Sequence, residues 1–398
     1  MRAQRFETGV GGYCRPPVPW RRAKRATALL VVCRRAADRS LPPPGFITSQ
    51  VDRMAWFDVS EALVDTTFLP SPRAGHSLTL VPEKGVAALF GGASHEEGPQ
   101  NDLVLFELAT KRWIRPPQLL SKPPPRYEHA ACLVHRRGIP TLLVFGGSDG
   151  EQVLNDLWAF NFESFSWSLL EARGTAPRPR TLHSMGAIAS HSDSSRIYVF
   201  GGGQSGSAAV DDAEMYCLDV ESLLWVRLTN PGVGPRPLPR QGHSVIACGS
   251  SIYIFGGLNG DVSFGDLWAF DVGRRTWRAI APDVTGTWPL ARSAHSATLV
   301  GRRIYVIGGM NRHHDPMVLG DIYSFDTETE AWSREPSEGS SRRLDHAACY
   351  WSPAGGSIGR ASDTGLQLIP MDAVPSGILV FGGMNLDGLF NDLRVYVI

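Results

Sequence analysis

The chain lacks a long apolar run, paired cysteines and a net charge. A membrane-spanning helix needs about twenty consecutive apolar residues. The longest such run near the start, Ala26 to Cys33, is far shorter. The six cysteines (Cys14, Cys33, Cys132, Cys217, Cys248 and Cys349) stand singly, with no C-x-x-C pair to hold a metal or run redox chemistry. No secretory signal precedes them, so they read as reduced thiols of a cytoplasmic protein. The 39 basic and 39 acidic residues cancel, but unevenly. Residues 1–53 hold eleven Lys/Arg and three Asp/Glu, leaving an acidic remainder. A body of that sign has no basic face for nucleic acid. There is no G-x-x-x-x-G-K-[ST] phosphate loop and no non-repeating cluster of His, Cys, Tyr or carboxylates. His313, His314 and Asp315 are neighbours, but adjacent histidines on one loop chelate a single ion poorly. Neither enzyme chemistry nor a cofactor is expected.

What the chain has in quantity is glycine, proline and tryptophan, at 42, 29 and 11 residues. Their placement is periodic. An apolar run ending in Gly-Gly recurs six times, at Gly91-Gly92, Gly146-Gly147, Gly201-Gly202, Gly256-Gly257, Gly308-Gly309 and Gly382-Gly383. Upstream of each stands an Arg-x-x-His unit: Arg73/His76, Arg126/His129, Arg180/His183, Arg240/His243, Arg292/His295 and Arg343/His346. Downstream an Asp opens an alternating apolar stretch, at Asp102, Asp156, Asp212, Asp266, Asp321 and Asp392. A Trp follows the first five, at Trp113, Trp167, Trp225, Trp277 and Trp332.

Each unit contains short β-branched or aromatic runs bounded by turn residues, the mark of strands. A lone four-stranded blade cannot bury both faces, whereas blades packed around an axis can. A period of about 50 residues with these features in fixed order resembles the kelch-repeat family. That resemblance predicts an all-β, six-bladed kelch β-propeller over residues 54–398. The last unit stops at Ile398 without its Trp strand, and Ala55-Trp56-Phe57-Asp58-Val59 is spare at the other end. That N-terminal strand is therefore expected to close the last blade, removing an open sheet edge.

Two segments fall outside the pattern. Residues 1–53 are basic and irregular, and are expected to be disordered. Met54 is a candidate initiator, and a mitochondrial transit peptide is the other reading. Residues 351–376 form a Gly/Ser/Ala/Pro-rich insertion in the last blade, expected to be flexible.

Strand order gathers the six Arg, the Gly-Gly turns and the six Asp at one mouth of the propeller. Two readings of the Arg ring follow. It could receive a carboxylate-bearing partner, or each Arg could pair with an Asp inside the scaffold, which the equal numbers favour. The six His read as satisfied core groups. The candidate partner-binding mouth comprises Arg73, Arg126, Arg180, Arg240, Arg292 and Arg343, with Glu96, Asp149, Asn311, Arg312 and Asn385 on the loops after Gly-Gly.

Within the family, particular strings are similar to those of propeller-only Rab effectors. They are Pro125-Arg-Tyr-Glu-His129, Pro179-Arg-Thr-Leu-His183, Arg343-Leu-Asp-His346 and Val380-Phe-Gly-Gly-Met-Asn385. This resemblance implies a non-catalytic scaffold, expected as a monomer. Its implied partner is a GTP-loaded Rab GTPase, with a phosphoinositide kinase as a further one. It implies transport from late endosomes to the trans-Golgi network. Membrane association would be peripheral, on endosomal membranes and through partners only. The alternative is a substrate receptor for a ubiquitin ligase, using the Arg ring to read acidic motifs. No nucleic acid partner is expected.

Overall fold

The computed structural model describes residues 56–59, 68–117, 121–189, 195–204, 206–228, 234–282, 287–351 and 376–398. The expectations for residues 1–53, and for 352–375 of the insertion, lie outside the described residues.

The repeats fold as six antiparallel four-stranded blades. In blade 1 the strands are Ser77–Val81, Val86–Phe90, Leu103–Glu107 and Arg112–Ile114. Blade 4 shows the same order with Ser244–Cys248, Ser251–Phe255, Leu267–Asp271 and Thr276–Ile280. First strands of successive blades lie side by side around the axis, and that of blade 6, Ala347–Trp351, returns to Ser77–Val81. The second strands are the most apolar and the most buried, as in the fully buried Val86–Phe90 and Gly377–Phe381. Strands covered on both faces require continuous apolar runs.

Trp113, Trp167, Trp277 and Trp332 each pack on a Phe of their own blade and one of the preceding blade, while Trp225 meets only Phe145 of the preceding one. Trp277 lies 4.8 Å from Phe270 and 5.3 Å from Phe200, ring centre to ring centre. Trp113 repeats this with Phe106 and with Phe381 of blade 6. Tilted and edge-on aromatic pairs contribute beyond their buried area.

The ring closes as the spare Trp strand requires. Trp56–Asp58 pairs antiparallel with Leu393–Val397, placing Trp56 opposite Tyr396 and Asp58 opposite Arg394. Trp56 is buried against Tyr396. Blade 3 carries one addition that the repeat pattern does not contain. Arg173–Gly174 adds a parallel fifth strand to Leu224–Trp225. Gly174 has φ +90°, and a β-carbon there would meet the Trp225 carbonyl at 2.2 Å. Among the described residues no helix is long and apolar enough to cross a membrane.

Candidate functional site

Every Arg-x-x-His unit lies just before the first strand of its blade, so its side chains gather around the axis at one mouth. The six arginines are almost wholly enclosed, at 0–1% exposure. Arg126 shows why. Its Nη1 and Nη2 donate to the two carboxylate oxygens of Asp156 at 2.8 Å each. Nη1 also reaches the Gly146 carbonyl at 2.9 Å, and Nε reaches the Pro124 carbonyl. Arg73, Arg240, Arg292 and Arg343 make the same two-pronged contact with Asp102, Asp266, Asp321 and Asp392. Arg180 holds Asp212 through Nη2 alone, at 3.0 Å. Burial pushes the Asp156 carboxyl up, but the hydrogen bonds and charge of Arg126 outweigh it and hold the group below its ordinary value. These guanidinium groups face scaffold carboxylates, so the arginines belong to the fold.

The backbone ties neighbouring blades at the same level. The second glycine of each pair donates to the carbonyl of the next blade's arginine, as from Gly92 to Arg126 and, closing the ring, from Gly383 to Arg73. A side chain at Gly147 would collide with the Tyr127 carbonyl and with His129, and its φ is +93°. Only glycine serves there.

The residue before each histidine forms a second closed ring. Gly75 donates to the Asp345 carbonyl, Glu128 to Gly75, Leu182 to Glu128, Gly242 to Leu182, Ala294 to Gly242 and Asp345 to Ala294. Four of these residues are not glycine, yet all have φ between +50° and +66°. Such φ values are costly for non-glycine residues and persist where surrounding contacts enforce them.

Beneath this ring the six histidines form the wall of a cavity of about 150 Å³ along the axis. All are more than nine-tenths buried. Five rings reach back to the preceding blade, whereas both ring nitrogens of His243 lack a hydrogen-bond partner among the described residues, so the expectation of six satisfied histidines does not hold for His243. His76 and His183 reach the Phe381 and Phe145 carbonyls, while His129, His295 and His346 reach the hydroxyls of Ser77, Ser244 and Ser296. Burial, reinforced by the adjacent Arg73, Arg180 and Arg292, pushes His76, His183 and His295 down to about 3. They are neutral structural groups.

The loop residues of the candidate mouth divide in two. Asp149, Asn311 and Asn385 shape their own turns. Asp149 accepts from the Glu151 and Gln152 amides, Asn311 from His313, and Asn385 from Asp387 and Gly388. Glu96 and Arg312 point outward, with Arg312 3.9 Å from Asp261 across to blade 4. Among the described residues no group of three or more His, Cys, Asp or Glu is placed to hold a metal.

Sequence reasoning missed two carboxyl groups, Glu128 and Asp345, which flank Gly75 on the second ring. Burial, then the nearby Asp345, raises Glu128 to about 8, and burial raises Asp345 to about 6. The signal was present. Of the two variable positions in the six copies of Arg-x-x-His, only the third carries an acid, in Glu128 and Asp345.

A family model described as "KLHDC2/KLHL20/DRC7 Kelch-repeats domain" matches residues 46–192 and 185–354. The rat protein "Rab9 effector protein with kelch motifs" (Rattus norvegicus) is 38% identical over 210 residues, covering 50% of this chain and 52% of the relative. Human "Host cell factor 2" (Homo sapiens) is 31% identical over 258 residues, 56% of this chain and 32% of the relative. "Kelch domain-containing protein 3" of cattle (Bos taurus) is 30% identical over 251 residues, 61% of this chain and 62% of the relative. The chain thus spans about half the length of the first of these curated relatives, and less than two thirds of the others.

Proposed function

The chain belongs to the kelch-repeat family of β-propellers, and on that premise we propose that it is a non-catalytic effector of a GTP-bound Rab GTPase. The coarser statement, a propeller of the protein-interaction class, follows from the family itself. The observation that carries the finer one is the 38% identity over 210 residues to a relative described as a Rab9 effector. In this reading the protein works in transport from late endosomes to the trans-Golgi network. It acts as a monomer, on the cytoplasmic side of endosomal membranes and through its partners, with a phosphoinositide kinase as a second partner. Contacts come from the loops after Gly-Gly, where Glu96 and Arg312 are exposed. The arginines hold those loops in place.

The alternative, a receptor that presents substrates to a ubiquitin ligase, relied on arginines free to receive a carboxylate. Their pairing with Asp102, Asp156 and their counterparts supports the effector reading over this alternative. A pull-down with purified Rab9 in its GTP and GDP forms is the test. The expected result is capture of the GTP form at least tenfold over the GDP form. Equal capture of both forms, or of neither, would contradict the proposal.

A further inference from the structure

The third position of Arg-x-x-His puts two acids at the opening of the axial channel. Glu128 donates its amide to Gly75, and Gly75 donates to Asp345, so the two acidic residues flank Gly75, which has no side chain. They line the 150 Å³ axial cavity and also an adjoining cavity of about 120 Å³ on the mouth side. Arg312 lines the mouth-side cavity with them but pairs with Asp261, and among the described residues no arginine or lysine forms an ion pair with either acid. Two half-buried acids without a compensating cation resist ionisation, which is the direction in which both are shifted.

A separate feature points the same way. The His76 Nε2 faces the Phe381 carbonyl at 3.1 Å. A carbonyl only accepts, so Nε2 carries the proton and Nδ1 is left with a bare lone pair. That Nδ1 has no hydrogen-bond partner among the described residues, although His76 is only 7% exposed and lines the same cavity, and the Nδ1 atoms of the other five histidines are likewise unpartnered. The cavity wall thus carries unpartnered imidazole nitrogens all round, with the two acids at its opening.

The rim carries both apolar and acidic groups. On the mouth side, Leu238, Val262, Leu290, Met317 and Leu386 are exposed on blades 4–6 or the connections entering them, with Leu69 on the connection into blade 1. Exposed acids stand among them, Asp261, Asp315 and Asp387 on blades 4–6 and Glu96, Glu97, Glu151 and Asp211 on blades 1–3. Exposed apolar groups bordered by charge mark a protein-binding surface.

We infer that the channel mouth receives a lysine or arginine side chain of a protein partner, between Glu128 and Asp345, while apolar residues beside that cation lie over the rim of blades 4–6. The inference rests on the reading of the chain as an interaction scaffold. A buried cation–carboxylate pair with further hydrogen bonds discriminates strongly against an uncharged side chain.

The test uses the full chain and an immobilised set of capped nine-residue peptides with one central lysine or arginine between apolar residues. Matching sets carry norleucine or glutamate at the centre. The basic sets should bind at least tenfold more tightly than the norleucine set, and E128Q/D345N should abolish that preference while unfolding at a temperature no lower than wild type. No preference in the wild type, or a preference that survives in the double variant, overturns the inference. A carbodiimide cross-link on wild type supplies a second readout that needs no variant. The peptide lysine should be joined to Glu128 or Asp345, and a cross-link confined to other carboxylates overturns it. The Rab reading fails separately. GTP-Rab capture unchanged by E128Q/D345N leaves that reading intact and removes the channel from it, whereas peptide preference without Rab capture does the reverse.

Discussion

The first position of the Arg-x-x-His unit is arginine in all six blades, whereas the third is Gly75, Glu128, Leu182, Gly242, Ala294 or Asp345. One residue separates the positions, and their environments are opposite. Each arginine is enclosed, charged and matched by an aspartate. The two acids of the third position are half-buried, reluctant to ionise and unmatched. A residue that recurs in every blade solves a problem that every blade has, here fixing Gly-Gly and the third strand. A residue found in only one or two blades solves no such problem, and is free to meet a partner.

That contrast can be broken in several ways. The largest effect should follow removal of one constant cation. Arg292→Met leaves the Asp321 carboxylate without its partner in a mostly enclosed site, and should cost about 3–5 kcal/mol in denaturant unfolding. A loss below about 1 kcal/mol would mean the arginines are not scaffold. Trp56→Ala should cost about 3 kcal/mol, near the low end for a buried tryptophan because its strand is short. Correspondingly, removal of residues 1–53 should leave the thermal transition in place, while removal through Phe57 should lower it. Equal transitions would refute closure by this strand.

The histidine wall predicts the acid limb. In the unfolded chain each imidazole takes a proton near 6.5, but in the fold His76, His183 and His295 do so only near 3. Stability should therefore be complete above pH 6.5 and decline as the pH falls towards 3. Urea midpoints across that range should show it, and His183→Asn should flatten the slope by up to one proton. A midpoint constant from pH 6.5 to 4 would contradict neutral, buried imidazoles.

The smallest effect has the opposite sign. Glu128 ionises near 4.5 when unfolded and near 8 in the fold, so its contribution is favourable at low pH and lost as the pH rises through that window. Glu128→Gln should therefore gain roughly 1 kcal/mol at pH 8, well below the full shift because the mouth is open to solvent.

Blade number, strand order and ring closure were legible in the sequence because each rests on residues that recur in fixed order. Trp56 could be assigned to the last blade because five other tryptophans defined the slot it fills. The pairing of arginine with aspartate was legible as one of two readings, since equal numbers of opposite charge at one mouth favour neutralisation. Other features were not legible. Arg173–Gly174 joins blade 3 by backbone hydrogen bonds alone, which leave no side-chain pattern. The turn-shaping roles of Asp149, Asn311 and Asn385 depend on loop geometry that composition does not fix. Glu128 and Asp345 stood in plain view inside the repeat, but attention to what recurs hides what varies.

The most direct test of the contrast places both substitutions on one loop. Urea unfolding of Arg126→Met and Glu128→Gln at pH 8 should give a loss of about 3–5 kcal/mol for the first and no loss, or a gain, for the second. Two similar losses, or a stable Arg126→Met, would contradict the division between a constant ring that holds the fold and a variable ring that is free to bind.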